Sequence, residues 1–456
     1  MRSSTSLSLA LAALVCSASL ADEPELVVIR AARVITVSGE EFAPGMIVAK
    51  DGKIQAVGQR IEVPEGAKEF DLGERVLMPG LVAPRTRFGL RGYTRRGNQV
   101  QQRAAIELVV RPDAWDGLLE AGVVAAAVYP EGSDLPGRAV VVHTHPGAPA
   151  ERILLDPGYL RVGFDALPGN KRTLRGALKA AEQAIEKEEK AKAEWEKKTK
   201  PDAGKPGAAP ERPSGKRPPR RGPRRGPPQP PRAPLMAGAA EGQSSTAPVD
   251  TTKFNPPPIP EAVAPFVDLL RKDKAAPRLF VELGRASDLV HFDEVCAEVE
   301  WPQRPVFFAP NRSTRSIQTD FFRVVERLGE EQELVLLHPA ISVEESTFVR
   351  VNLAEELSRA GCKVAFVPVF DARAGYDALL DDVTLLVGEG LSRDAALKGL
   401  TLHAAEAAGV ADLLGSLEVG KRADFVVLDG DPLQVGARVE QVWIGANKAW
   451  TREVSR

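Results

Sequence analysis

The side chains of this sequence that could carry acid–base or metal chemistry are a few histidines and carboxylates near the ends of apolar runs. His143 and His145 form a His-x-His pair directly after the apolar residues 139–142. Alternate residues of a strand point to the same side, so both imidazoles could bind one cation together with Glu282 and Asp371. The alternative is a pair of loop histidines that are solvated or hydrogen-bonded.

The other histidines give weaker signals. His338 follows the apolar residues 334–337, which is typical of a positioned histidine at a strand end. His291 and His403 lie in helical patterns, where we interpret them as surface or capping residues. The sequence has no Gly-x-Ser-x-Gly elbow, Walker loop or Gly-x-Gly-x-x-Gly after a strand, which argues against nucleophilic and nucleotide-binding classes.

Two arginines, Arg85 and Arg87, follow the mostly apolar residues 76–84. A guanidinium has no lone pair for a metal and stays protonated at biological pH. Two inward-facing guanidiniums would need carboxylate partners, and Glu282 and Asp371 are the candidates. The same arrangement could bind a small anionic ligand such as a carboxylate or a phosphate. The alternative is that both arginines lie outside any pocket.

The composition and the N-terminal residues restrict the class of protein. Lysine plus arginine number 60 and aspartate plus glutamate 62, so the formal net charge of -2 gives no signature of nucleic-acid binding. Residues 1–21 combine Arg2, an apolar run and a small-x-small site, which predicts export to the periplasm or the extracellular space after cleavage near Ala21. The alternative is that this segment is retained as an N-terminal anchor. No later run is long enough to span a membrane in the mature chain.

Without that leader, the cysteines that remain are Cys296 and Cys362. Two cysteines cannot form a disulfide framework for a domain of this size, and we interpret them as buried small apolar residues. An exported compartment would permit a single disulfide, and the sequence does not establish whether the two pair.

Both ends of the chain are rich in strand patterns. Residues 26–76 contain several short β-prone runs, with Asp51-Gly52 as a hairpin signal. Residues 423–429 and 439–444 repeat this texture near the other end. We therefore expect the N- and C-terminal segments to pair into one small β-sandwich.

The middle of the chain alternates strand and helix patterns, which is typical of a parallel α/β sheet or barrel. The predicted strands are 123–128, 139–142, 278–281, 305–308, 334–337 and 363–367, and the predicted helices include 114–121, 177–198, 320–328 and 351–360. Residues 201–260 depart from this rhythm because they are rich in Pro, Gly, Arg and Ala. We expect a disordered insertion there, whose basic residues 216–232 could contact a polyanion. The alternative is a solvated loop without a partner.

Two groups of motifs resemble the imidazolonepropionase-like branch of the amidohydrolase superfamily. The more specific group is the run from Gly415 to Pro432, preceded by 390–397 and 401–410. At the other end, Val76 to Leu81 is similar to the family's first barrel strand. The resemblance implies a TIM-like (β/α)8 barrel with a flanking β-sandwich, and a site at the carboxyl ends of the strands.

The resemblance also implies one or two divalent metals, held by imidazoles and an aspartate, that activate water to cut a non-peptide C–N bond. The positions of this chain that match the metal ligands are Arg85 and Arg87 for the His-x-His, Glu282 for the fifth-strand histidine, Phe308 or Ala309 for the next, and Val369 or Asp371 for the aspartate. In many relatives another strand carries a lysine that bridges the metals. In this chain that strand matches only approximately, with its end at His143. We therefore expect no metal cofactor, with Asp371 as the one candidate catalytic residue.

These observations give one interpretation and two alternatives. The predicted segments are a signal peptide at 1–21, sandwich at 22–76 and 413–456, barrel at 77–200 and 261–412, and the insertion at 201–260. The favoured function is a catalytically degenerate amidohydrolase-like protein that binds a ligand or has a structural role. The first alternative is an active hydrolase with zinc or another divalent metal at a relocated site of His143, His145, Glu282 and Asp371. The second is a polyanion-binding envelope protein that acts through its insertion.

Overall fold

A computed structural model of the chain describes residues 26–90, 96–109, 112–145, 149–199, 253–273, 276–299, 304–309, 318–344 and 346–453. The chain divides into two compact units, residues 1–182 with 260–456 and residues 183–259. The predicted signal peptide and the basic residues 216–232 lie outside the described residues. Along the described ranges, no helix is long and apolar enough to cross a membrane.

The strands follow in chain order. They are β1 Leu26–Ala31, β2 Arg33–Ile35, β3 Glu41–Phe42, β4 Gly45–Lys50, β5 Lys53–Gly58, β6 Lys68–Asp71, β7 Val76–Pro79, β8 Leu81–Thr86, β9 Val123–Val128, β10 Asp134–Arg138, β11 Val140–His143, β12 Ile153–Leu155, β13 Tyr159–Phe164, β14 Arg278–Leu283, β15 Val306–Phe308, β16 Gln318–Thr319, β17 Leu334–Leu337, β18 Ser342–Glu344, β19 Arg350–Val351, β20 Lys363–Phe366, β21 Phe425–Leu428, β22 Val439–Ile444 and β23 Asn447–Thr451.

The helices lie between these strands, and the last four of them lie between β20 and β21. They are α1 Ala104–Glu107, α2 Pro112–Glu120, α3 Pro168–Thr199, α4 Ala264–Leu270, α5 Ala286–Val295, α6 Val325–Glu330, α7 Leu353–Arg359, α8 Arg373–Asp377, α9 Leu379–Gly388, α10 Arg393–Leu400 and α11 Leu402–Ala408. Short 3-10 turns occupy Pro149–Arg152 and Phe321–Val324. Helix α7 begins at an Asn352 cap, whose side chain accepts a hydrogen bond from the Glu355 N–H, and Gly361 follows its end with a φ of 100°.

Two sheets contain the strands from both chain ends. One has the order β5-β4-β1-β6, and the other has the order β23-β22-β21-β7-β2-β3. Strand β21 pairs antiparallel with β7, so a C-terminal strand lies beside an N-terminal one. One buried cluster contains residues of both sheets, including Ile29, Ile47, Leu77, Phe425 and Trp443. The alternating apolar residues of these strands therefore bury one face of each sheet in a shared core.

Two further sheets form the centre of the molecule. In the order β10-β13-β14-β15-β17-β20, the strands from β13 onward run parallel to their neighbours. The second sheet has the order β12-β11-β9-β8, with β8 and β9 parallel. Every residue of β9 is buried, as expected for an inner strand that is covered on both faces.

The predicted central strands and helices are confirmed, with end points that shift by a few residues; the helix predicted at 177–198 begins earlier, at Pro168. The sequence interpretation missed β10 and β13, because the first contains a proline and a glycine and the second has an arginine inside an apolar run. Cys296 and Cys362 are buried, and no disulfide joins them in this structure.

We predict that Phe425→Ala lowers the free energy of unfolding by about 3–5 kcal/mol, because a fully buried ring is lost and a cavity remains. Phe425 is 0% exposed and stacks on Trp443 with ring centroids 5.5 Å apart. Val435→Ala is the matched control, since Val435 is 69% exposed and its change should stay within about 0.5 kcal/mol. Denaturant unfolding measures both variants, and equal stabilities would show that the two chain ends do not share a core.

Candidate functional site

Three charged side chains meet at the carboxyl ends of strands from the two central sheets. Arg161 and Glu282 lie on the adjacent parallel strands β13 and β14, where Gly163 pairs with Glu282. Arg85 lies near the end of β8, in the other central sheet. We call these three residues the Arg–Glu–Arg cluster.

Both oxygens of Glu282 accept hydrogen bonds from arginines. Arg85 Nε donates to Oε1 over 2.6 Å, and Arg161 Nε donates to the same oxygen over 2.9 Å. Arg161 Nη2 donates to Oε2 over 2.6 Å, which makes the Arg161 pairing bidentate. Arg161 Nη1 donates to the carbonyl oxygen of Gly132 over 2.7 Å, so this guanidinium is committed on every nitrogen.

The cluster is buried, and its charges depend on one another. The side chains of Arg85, Arg161 and Glu282 are 12%, 4% and 8% exposed. Burial by itself would raise the pKa of Glu282, but the attraction of Arg161 and Arg85 and their hydrogen bonds hold that pKa well below its ordinary value. Two guanidiniums and one carboxylate leave the cluster with one surplus positive charge.

Arg85 is the member of the cluster with donors to spare. Its guanidinium carbon lies 4.4 Å from the ring centre of Tyr129 and 4.6 Å from that of Phe307. Two aromatic rings therefore hold its plane in place. Its Nε is bound to Glu282, and no acceptor among the described residues forms a hydrogen bond with either terminal nitrogen. The two terminal nitrogens of Arg85, which we call its fork, can therefore donate hydrogen bonds to a ligand.

Asp371 follows β20 and connects its loop to the end of β8. Its Oδ1 accepts a hydrogen bond from Thr86 Oγ1 over 2.6 Å, and Oδ2 accepts one from the Arg87 backbone N–H over 2.8 Å. The Tyr376 hydroxyl lies 3.4 Å from Oδ1. In this arrangement Asp371 links two strand ends, while its predicted catalytic role stays a prediction.

The expected pairing of arginines with carboxylates is confirmed for Arg85 and corrected for Arg87. The Arg87 side chain forms its ion pair with Glu131 and is 44% exposed, so it does not enter the cluster. Thr86, between the two arginines, is buried. Strand β8 ends at Thr86, so Arg87 lies beyond the strand and does not follow its alternation.

His338 lies near the cluster, because its ring contacts Phe307, which Arg85 also contacts. Its Nδ1 is 2.9 Å from the carbonyl oxygen of Val367, and its ring meets Phe307 edge-on with centroids 5.5 Å apart. Burial lowers the pKa of His338, and the positive charge of Arg85 adds to that effect. The imidazole is therefore neutral at pH 7, with the proton on Nδ1, where it donates to the carbonyl.

The structure places His143 at the other end of its sheet and corrects the relocated site. His143 pairs with Ala125 near the start of β9, whereas Thr86 pairs with Val128 at its end. The nearest opposite charge is Asp424, whose Oδ2 is 3.7 Å from His143 Nε2. Burial lowers the pKa of His143 to about 4. His145 is exposed, and neither histidine meets Glu282 or Asp371.

The other positions inferred from the family resemblance fall at strand ends. Ala309 directly follows β15, and its N–H donates to the carbonyl oxygen of Leu283 over 2.8 Å. Phe308 points to the opposite face and stacks on Phe321 with centroids 3.7 Å apart. Val369 and Asp371 are the two positions that could match the family's aspartate. Val369 is 43% exposed, whereas Asp371 bonds to Thr86 at the end of β8. Whether these were metal positions stays a prediction.

Arg161 is the cluster residue that sequence reasoning missed. The bridging-lysine strand was placed at His143, but the strand beside β14 is β13, and Arg161 is its charged member. The signal was present in the sequence, because Arg161 is the one charged residue in the run Tyr159–Phe164. A single charge in a buried strand needs a buried partner, which Glu282 supplies.

Comparisons with known proteins agree on the fold. The family model described as "Amidohydrolase family" matches residues 382–447. The amidohydrolase tasK of Hapsidospora irregularis is 47% identical over 55 residues, which are 12% of this chain and 6% of that protein's length. An amidohydrolase from Thermotoga maritima MSB8 superposes with a TM-score of 0.66 at 18% identity, covering 93% of this chain and 100% of that one. This chain has the amidohydrolase fold.

A second solved structure supports the same fold more weakly. It is an uncharacterized protein with a TM-score of 0.50 at 14% identity, covering 94% of this chain and 100% of that one. Identities of this size establish architecture and leave chemistry to the residues of the pocket.

The amidohydrolase fold implies a divalent metal, and the pocket residues do not fit one. Arg85 supplies no lone pair, Ala309 ends in a methyl group, and both oxygens of Glu282 already bind guanidiniums. A cation at Glu282 would have to displace Arg161 and would meet two fixed positive charges. Within the described ranges, no group of three or more His, Cys, Asp and Glu side chains has an arrangement that could hold a metal ion.

We predict that Glu282→Gln destabilises the protein by about 3–5 kcal/mol at pH 7, because two buried guanidiniums lose their counter-charge. Glu69→Gln is the matched control, since its ion pair with Arg30 is about half exposed and should contribute about 0–1 kcal/mol. Denaturant unfolding of the three proteins measures both effects. Equal destabilisation by the two substitutions would show that the cluster has no special energetic role.

We also predict a pH dependence with a definite sign. Because the folded-state pKa of Glu282 lies below that of the unfolded chain, its stabilisation is complete above about pH 5 and is lost as the pH falls from there. The stability difference between wild type and Glu282→Gln should therefore shrink between about pH 5 and pH 2. A difference that stays constant over that range would contradict the depressed pKa.

Proposed function

We propose that this protein binds a small anion in the pocket of an amidohydrolase fold and has lost metal-dependent hydrolysis of C–N bonds. The double pairing of Glu282 by Arg85 and Arg161 is the observation that supports this proposal most directly. The carboxylate that a metal would need is already neutralised, and the cluster keeps one surplus positive charge. A binding or structural role follows, with the imidazolonepropionase-like branch as the proposed ancestry.

The binding group is the Arg85 fork. Its Nε is held by Glu282, while its terminal nitrogens have no hydrogen-bond acceptor among the described residues. A carboxylate matches such a fork with two parallel charge-assisted hydrogen bonds, each stronger than a neutral one. Tyr129 and Phe307 both pack against the guanidinium, so an anion would approach the terminal nitrogens that these rings leave uncovered.

The finer architecture belongs to this proposal as well. Arg85 from one central sheet bonds Glu282 from the other, which supports closure of the two sheets into a TIM-like barrel. The shared core of the two terminal sheets supports a β-sandwich built from both chain ends. Export after cleavage near Ala21 and polyanion contact through residues 216–232 stay predictions, because those residues lie outside the described ranges.

We predict that the purified protein, incubated with Zn²⁺ or Mn²⁺ and then desalted, retains much less than one equivalent of metal. Elemental analysis of the protein measures this directly. A His143→Ala, His145→Ala double variant is the control, because it removes the residues of the relocated site without touching the cluster. Stoichiometric metal in the wild type would overturn the proposal, and its loss in the double variant would locate the ion at the relocated site.

We predict that Arg85→Gln weakens binding of propionate by about 10- to 100-fold, which corresponds to about 1.5–3 kcal/mol for charge-assisted hydrogen bonds. Arg161 still pairs Glu282 in this variant, so the fold should persist. Arg87→Gln is the matched control, since this arginine is exposed and pairs with Glu131. Titration calorimetry or ligand-observed NMR measures the affinities, and equal weakening by both variants would point to a diffuse surface effect.

A further inference from the structure

We infer that the anion bound at Arg85 also carries a neutral hydrogen-bond donor, a hydroxyl or an amide N–H, on one of the first two carbons beside its charged group, and that Nε2 of His338 accepts this hydrogen bond. This inference rests on the proposed function, because it takes Arg85 as the anchor. It adds a chemical class for the ligand, a donor-substituted carboxylate.

The strand register places His338 one layer above the Arg–Glu–Arg cluster. Glu282 pairs with Phe307, and Phe307 pairs with Leu336, so these three lie at one level of the sheet. Alternate residues share a face, which puts His338 on the same side as Leu336 and nearer to the carboxyl ends. A ligand that enters from that end therefore meets His338 before it reaches the cluster.

Arg85 and His338 both contact the ring of Phe307. The Arg85 guanidinium carbon is 4.6 Å from the Phe307 ring centre, and the His338 ring centre is 5.5 Å from it. The two polar groups are therefore separated by at most about 10 Å. A carboxylate hydrogen-bonded to the fork occupies part of that gap, because such contacts are about 2.7–2.9 Å long. Its first or second carbon then lies beside the imidazole.

The hydrogen bond to Val367 decides what His338 offers a ligand. With Nδ1 donating to this carbonyl over 2.9 Å, the neutral ring presents a lone pair on Nε2. The carbonyl of Pro368 is a second acceptor near the ring, but no hydrogen bond of good geometry joins Nε2 to a described residue. An acceptor in a pocket selects ligands that bring a donor, because a ligand without one leaves the acceptor unpaired.

Charge and space restrict the donor further. Arg85 and Arg161 repel an ammonium group placed beside them, and Asp371 offsets only part of that charge, so neutral donors such as hydroxyls and amide N–H groups are favoured. Ala309 lies on the same face as Phe307 by strand alternation, and its side chain is only a methyl group. The ligand class is thus a carboxylate with a neutral donor, rather than a zwitterionic amino acid.

The test compares ligands that share a carbon skeleton. Propionate is the reference, and 2-hydroxypropionate and 3-hydroxypropionate each add one hydroxyl. Affinities are measured by ligand-observed NMR on the full-length protein. We expect at least one hydroxy acid to bind about 2- to 10-fold more tightly than propionate, the range given by one net hydrogen bond.

Three substitutions of His338 distinguish hydrogen bonding by Nε2 from a packing role of the ring. His338→Phe keeps an aromatic ring against Phe307 but removes both nitrogens. His338→Asn keeps a donor for the Val367 carbonyl without reaching the Nε2 position, and His338→Gln returns an amide oxygen near that position. We expect the hydroxy-acid preference to vanish in the first two variants and to be partly restored in the third, with propionate affinity within about 2-fold of wild type throughout.

The outcomes distinguish this inference from the proposed function. If all three acids bind equally in the wild type, or if His338→Phe keeps the preference, the role of His338 is wrong while anion binding at Arg85 stands. If none of the acids binds to the wild type, the proposed function itself fails, and this inference fails with it. If propionate binding also disappears in His338→Phe, the histidine only maintains the structure of the site and does not accept a hydrogen bond from the ligand.

Discussion

A buried carboxylate held between two guanidiniums is the constraint on which the rest of the pocket depends. Glu282 is nearly inaccessible to water, so its charge is tolerable only beside the charges of Arg85 and Arg161. Those three side chains come from β8, β13 and β14, and their hydrogen bonds join the two central sheets. The same bonds orient Arg85 by its Nε and leave its fork directed away from Glu282.

The cluster places fixed positive charge at the strand ends, on side chains that do not fit a metal ion. A bound divalent ion would supply positive charge and a water of lowered pKa, whereas a guanidinium supplies charge and directed donors only. Such a group binds and orients anions but does not activate water. The imidazole of His338 and the aromatic rings of Tyr129 and Phe307 lie beside these charges, and in our proposal they complete an anion-binding site.

The resemblance to known amidohydrolases and the chemistry of the pocket lie in different parts of the chain. Residues 382–447, which match the family model, form helices α9–α11 and strands β21 and β22. None of the three cluster residues belongs to that segment. Strand β21 instead pairs with β7 and contributes to the core of the terminal sheets. The family match thus covers packing elements outside the cluster, and the proposed function rests on residues that the match does not include.

The sequence by itself determined the fold class, most central strands and the presence of Arg85 where a metal ligand was expected, because these follow from local patterns and from motifs. Only the tertiary structure decided which charges meet. Arg161 lies 121 positions before Glu282 and Arg87 turns to Glu131, and neither pairing has a local signal. His143 was separated from the pocket by the antiparallel direction of β11. Long-range partners depend on strand register and direction, which side-chain types along one chain do not encode locally.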